Sequence, residues 1–176
     1  MNKTMSINKT TKNICFSAMF AAMIFGLTML HVPIGAGGYI HVGDAVIYVT
    51  ALLMGGPWAF VSAAIGAACA DIVSGFAVYA IPSAVIKVLI AVPFVLISKK
   101  ESKLLSVRSA AFTVISGIIT ILGYFLTDLI VYREGAIADL PANVIQAVGS
   151  AVVFVVLAFA LDRAGIKLRF KKEIDK

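Results

Sequence analysis

Residues 37–56 read GGYIHVGDAVIYVTALLMGG. The stretch opens on two glycines, presents Tyr39, His41 and Asp44, and then becomes an apolar run that ends at Gly55-Gly56. Polar side chains and glycines at the rim of an apolar segment suit a soluble helix with an N-cap, a metal or catalytic site, or the mouth of a membrane-embedded pocket. The rest of the chain chooses among these. Of its 176 residues, 61% are hydrophobic and 14% charged, against roughly 45–50% and about 25% in soluble domains. A chain of this length still exposes about a third of its surface on folding. So much apolar surface needs lipid as its solvent.

Six apolar segments carry that surface: 13–30, 44–55, 57–75, 82–98, 109–131 and 141–161. Most have the roughly 17–25 residues with which a helix crosses about 30 Å of hydrocarbon. The second is short, so it either begins in the preceding loop or spans incompletely. Backbone groups in lipid need internal partners, which favours helices throughout. The expectation is an all-α integral membrane protein with six transmembrane helices. A cleaved leader is the alternative for the first run, but that run is long and continues into LHVPIGAGG without a clean cleavage site.

Charge sets the orientation. Apart from Arg133 and Lys87, all fifteen lysines and arginines fall on one side if the N-terminus is cytoplasmic. Such a bias places both termini in the cytoplasm. The chain then divides into a basic cytoplasmic tail (1–12), a six-helix membrane domain (13–162) and a second basic cytoplasmic tail (163–176). Asp44, Asp71, Asp128, Glu134 and Asp139 fall at the outer ends of helices or in outer loops. The net charge of +6 therefore points to the membrane surface rather than to nucleic acid.

Lys87 lies inside the fourth run, where a lysine costs about 2.5–3.5 kcal/mol on insertion scales. It serves either a structural ion pair with Asp71 or Asp128, or an anionic or carbonyl group of a ligand, and the two are compatible. In the fifth run Thr120, Tyr124, Thr127 and Asp128 share one face, and in the sixth Asn143, Gln146 and Ser150 do so. Pro141 suits the first turn of that last helix. Such stripes either bond helix to helix or line a site.

Ser62, Gly66 and Ala70 form a row of small residues beside Ala63 and Ala67, which favours close packing. Ala18 and Ala22 make another small pair. Asp44 has the spacing of an N-cap for AVIYVTALL. Cys15 and Cys69 lie in separate apolar runs and read as small apolar residues. His31 and His41 lack helical spacing for a shared metal. H-E-x-x-H, G-x-S-x-G and Walker A signatures do not occur, so neither catalysis nor ATP hydrolysis is expected of this chain.

GYIHVGDAVIYVTALLMGG, ADIVSGFAVYAIPSAVIKVLIA, GYFLTDLIVY and LPANVIQAVGSAVV, in this order, resemble the substrate-binding S components of energy-coupling-factor (ECF) transporters. The likeness is to the branch for riboflavin, pyridoxine or hydroxymethylpyrimidine, over about residues 13–162. It implies a bacterial multi-pass membrane subunit that captures a small vitamin from outside and carries no cofactor of its own. It also implies docking on a membrane coupling subunit driven by two cytoplasmic ATPase subunits, with Ala18 and Ala22 matching the family's A-x-x-x-A docking motif. Carried onto this chain, residues 31–43 form a lid. Lys87, Asp128, Asn143 and Gln146 line the pocket, with His41 and Asp71 beside them, and Tyr39, Tyr79 and Tyr124 stack on a flat ring. Vitamin identity varies within the family, so the resemblance leaves the cargo open. The competing readings are a self-sufficient ion-coupled carrier, with Lys87 and the outer acids as relay, an intramembrane enzyme using Asp71 and Asp128, and a purely structural subunit.

Overall fold

The computed structural model describes residues 8–34, 38–133 and 136–175. Six apolar helices make the body: α1 (Lys9–Met29), α2 (Gly43–Met54), α3 (Gly56–Val73), α4 (Ala80–Ser98), α5 (Val107–Val131) and α6 (Ala136–Arg163). A further helix, α7 (Ile166–Asp175), follows. Between α1 and α2 lie two short antiparallel strands, β1 (Val32–Ile34) and β2 (Gly38–Ile40), with Val32 opposite Ile40.

Local chemistry accounts for the helix ends. The Asn8 side chain accepts from the Thr10 amide at 3.2 Å to cap α1. Ser106 and Ser109 form a reciprocal capping box at the start of α5, which satisfies two amides that lack helical partners. Between α2 and α3 the chain reverses through Gly55 and Gly56, both at positive φ near 60°, a conformation that costs glycine little. Pro57 then falls in the first turn of α3, where a missing N–H does no harm.

Among the described residues, five helical stretches are long and apolar enough to cross a membrane: Lys9–Met29, Gly56–Val73, Ala77–Ser98, Val107–Val131 and Ala136–Arg163. Large aliphatic side chains stand exposed along them, among them Ile81, Leu96, Val114, Ile130 and Val156. Exposure on that scale fits hydrocarbon rather than water around the bundle. α2 differs. At 12 residues it is about 18 Å long at 1.5 Å per residue, and every residue from Gly43 to Leu52 is buried. The second run is thus a short apolar helix enclosed by longer ones.

The order of packing is α1 against α3, α3 against α4, α4 against α5 and α5 against α6, while α2 touches α1, α3, α4 and α6. α2 is therefore the centre of an arc of longer helices. Tyr48 fixes it there, stacking on Phe94 of α4 at 4.5 Å and meeting Phe154 of α6 edge-on. The row of small residues on α3 packs as expected: Ser62, Gly66 and Ala70 are buried, and a Cβ on Gly66 would lie 2.7 Å from the Ala21 carbonyl oxygen of α1.

Two details depart from the expected picture. α6 begins at Ala136, so Pro141 stands inside the helix rather than in its first turn. Pro141 cannot donate to the carbonyl one turn back, a loss that is tolerable so close to a polar helix end. The basic C-terminal stretch is also helical. Phe170 of α7 packs on Phe16 and Phe20 of α1, with ring centroids at 4.8 and 5.8 Å. Lys12 Nζ donates to the Glu173 carbonyl.

Candidate functional site

Successive helices run in alternate directions, so the start of α2, the end of α3, the start of α4, the end of α5 and the start of α6 meet at one end of the bundle. The polar residues of those turns enclose a cavity. Its wall consists of His41 before α2, Asp71 of α3, Phe76 and Tyr79 before α4, Ser83 of α4, Tyr124 and Asp128 of α5, and Asp139, Ala142, Asn143 and Gln146 of α6. The space left between them is about 40 Å³, far less than the 300–1,000 Å³ of typical small-molecule sites. A heterocycle fits only if the lining side chains move outward.

The polar groups are held in place by one another. Tyr79 donates its hydroxyl proton to Asp128 Oδ1 at 2.5 Å. Ser83 and Tyr124 share a hydrogen bond at 3.0 Å, and the rings of Tyr79 and Tyr124 lie 6.4 Å apart. His41 is buried, and its Nδ1 accepts from the Gly43 amide at 3.0 Å, which leaves the ring proton on Nε2. Burial and the nearby Lys87 ammonium push its pKa down to about 3. It is thus a neutral imidazole at physiological pH.

Lys87 does not border the cavity. It sits one layer behind, 1% exposed, with Nζ 2.6 Å from Asp44 Oδ1 and 4.9 Å from the centre of the Tyr124 ring. Its acid is thus Asp44, not Asp71 or Asp128 as the sequence suggested. Asp44 is not the N-cap of α2 either: that position is Val42, which makes no side-chain cap. Asp44 lies in the first turn of α2, fully buried, where the helix dipole favours a carboxylate. Gln146 Nε2 approaches its other oxygen at a long 3.4 Å.

Of the residues anticipated for binding, His41, Asp71, Tyr79, Tyr124, Asp128, Asn143 and Gln146 thus come together around one space. The Tyr39 side chain lies outside the described residues, as do residues 35–37 of the expected lid. Phe76, Ser83 and Asp139 were missed. Asp139 is four residues before Asn143 on the same helix face, so an earlier start for α6 would have revealed it. Thr127 shares the face of Asp128 but donates to the Gly123 carbonyl of its own helix.

Ala18 and Ala22 lie elsewhere. Both are exposed on α1 and line an apolar groove of about 580 Å³ between α1 and α3, with Trp58, Ile65 and Cys69 on its other wall.

Several long apolar helices with polar residues gathered at one end of the bundle define a multi-pass membrane protein. The sequence matches the family model for the ECF-type riboflavin transporter, S component, over residues 8–163, and the chain belongs to that family. It is accordingly a substrate-binding subunit of a vitamin transport system, one part of a larger transporter complex, and comes from a family of transporter subunits rather than enzymes. No curated protein matches the sequence.

Proposed function

We propose that the protein captures a small vitamin or vitamin precursor from outside a bacterial cell with high affinity and hands it to an ECF coupling module. The cargo is a flat ring of pyridoxine, hydroxymethylpyrimidine or riboflavin size, with the first two preferred. The observation that carries this reading is the cavity itself, with tyrosines for a ring and carboxylate, amide and imidazole groups for its edge. His41, Asp71, Tyr79, Tyr124, Asp128, Asn143 and Gln146 serve as ligand-binding residues, Tyr39 belongs to the lid, and Lys87 acts from behind by fixing Asp44 and Tyr124.

In this reading the cavity end faces outward and the basic end faces the cytoplasm, with both termini inside and α2 counted as a sixth, shielded span. Opening of the loop before α2 admits the ligand. Its closure expels water and strengthens each polar contact. The groove along Ala18 and Ala22 supports docking on a membrane coupling subunit, and two ATPase subunits of the complex hydrolyse ATP. The chain performs no chemistry on its cargo and needs no cofactor.

The test is to purify the lone chain in detergent, denature it and identify released small molecules by mass spectrometry. A stoichiometric vitamin supports the reading. Uptake by this chain alone in ion-loaded liposomes, without coupling subunits, would instead establish a self-sufficient carrier.

A further inference from the structure

The cavity wall carries carboxylates that the described residues do not balance. Asp128 and Asp139 border it from α5 and α6. The one basic residue on the wall, His41, is neutral, and the Lys87 ammonium is already committed to Asp44 behind the Tyr124 ring. Asp128 accepts from a neutral donor, the Tyr79 hydroxyl. Asp139 lines the cavity, is 4% exposed, and its buried Oδ1 has no hydrogen-bond partner. Among the described residues no lysine or arginine pairs with Asp128 or Asp139.

A buried carboxylate without a cation is costly. The α6 N-terminus offsets part of that cost for Asp139, because a helix end carries roughly half an elementary charge. The remainder is unmet by the protein. A positively charged ligand would meet it, and a negatively charged one would add to it.

Resting on the substrate-binding reading above, and narrowing its cargo from pyridoxine and riboflavin themselves to positively charged rings of that size, we infer that the ligand is bound as a cation. It is a small flat heterocycle carrying a positively charged nitrogen, set between Asp128 and Asp139, with Tyr124 and Phe76 against the ring. An ammonium, an amidinium or an alkylated ring nitrogen each fits this description. Phosphorylated or carboxylated forms of the same heterocycle are repelled, so the protein selects the unphosphorylated cation over its phosphate ester.

The full chain, purified in detergent and freed of bound small molecules, is titrated by calorimetry at neutral pH. The probes are pyridoxamine, pyridoxine and pyridoxal phosphate, which share a ring but differ in charge, with thiamine as a permanent cation and riboflavin as an uncharged ring. A cationic probe is expected to bind at least about tenfold more tightly than the uncharged and phosphorylated ones, and Asp139→Asn to remove that preference. The same variant keeps the unfolding temperature of the parent, which separates lost charge from lost fold. Equal or tighter binding of riboflavin, pyridoxine or pyridoxal phosphate, or indifference of a cation to Asp139→Asn, overturns the charge inference and leaves the substrate-binding reading intact. Silence from every probe overturns that reading as well.

Discussion

Lys87 Nζ and Asp44 Oδ1 stand 2.6 Å apart inside the bundle, with the two side chains 1% and 0% exposed. The contact ties the centre of α4 to the first turn of the enclosed α2. Breaking such a pair from one side leaves a buried charge without its counterpart, at a cost of about 3–5 kcal/mol. Lys87→Met and Asp44→Asn are each expected to lower the unfolding temperature in detergent sharply. The double variant Asp44→Asn/Lys87→Met should recover most of the loss. Equal damage from single and double variants would contradict the pairing.

Tyr79 acts on the cavity through Asp128. Removing its hydroxyl leaves the Asp128 carboxylate short of a donor in a closed space, worth about 1–3 kcal/mol. Tyr79→Phe should therefore weaken ligand binding by about tenfold or more, while Tyr132→Phe, on a ring that is 44% exposed beside it, changes affinity little. Calorimetric titration of the two variants against the same vitamin checks this.

The α1–α3 groove predicts a separation of functions. Ala18→Trp or Ala22→Trp fills the groove far from the cavity. Uptake by the assembled transporter should be abolished while the purified variant still binds ligand like the parent. Lost binding in the isolated variant would mean that this face is not reserved for docking.

His41 gives the loop before α2 a dependence on pH. Its pKa is about 3 in the folded protein, below the ordinary 6.5, because burial and Lys87 oppose its charge. A group whose pKa is depressed on folding contributes stability that is fully present above its unfolded pKa and lost as the pH falls toward the folded value. The unfolding temperature should thus be flat above about pH 6.5 and fall below it, with a slope approaching about 1.4 kcal/mol per pH unit from this residue. His41→Gln should flatten that part of the profile.

The close approach of α1 and α3 is the simplest to test. A methyl group at Gly66 would meet Ala21 and Ile24 of α1 within 3 Å. Gly66→Val should cost about 1–3 kcal/mol through overpacking, whereas Gly149→Val, where a Cβ would meet nothing within 4 Å, costs less. Thermal unfolding of the two variants distinguishes them.

What the sequence made legible follows from how each signal is written. The long apolar runs, the buried Ser62–Gly66–Ala70 row, and the shared faces of Tyr124 with Asp128 and of Asn143 with Gln146 are local patterns of helical period, and the structure repeats them. The partner of Lys87 was misjudged because pairing between helices depends on which one lies at the centre, and hydropathy does not encode that. Asp44 reads as a cap from its spacing, and its role as counterion shows only once α2 is seen to be buried against α4. Asp139 was hidden by a proline taken for a helix start. α7 escaped notice because Phe170 is a single aromatic residue among basic ones, and its contact with Phe16 and Phe20 joins opposite ends of the chain.

The enclosure of α2 bears on how the protein is made. A helix about 18 Å long that carries Asp44 and presents no side chain outward between Gly43 and Leu52 has no stable station in hydrocarbon by itself. It leaves the ribosome before α4, so during synthesis its carboxylate must linger near the headgroups until Lys87 is available. Membrane insertion of this chain is therefore not a sequence of independent steps. Its second helix gains its counterion only once the fourth is in place.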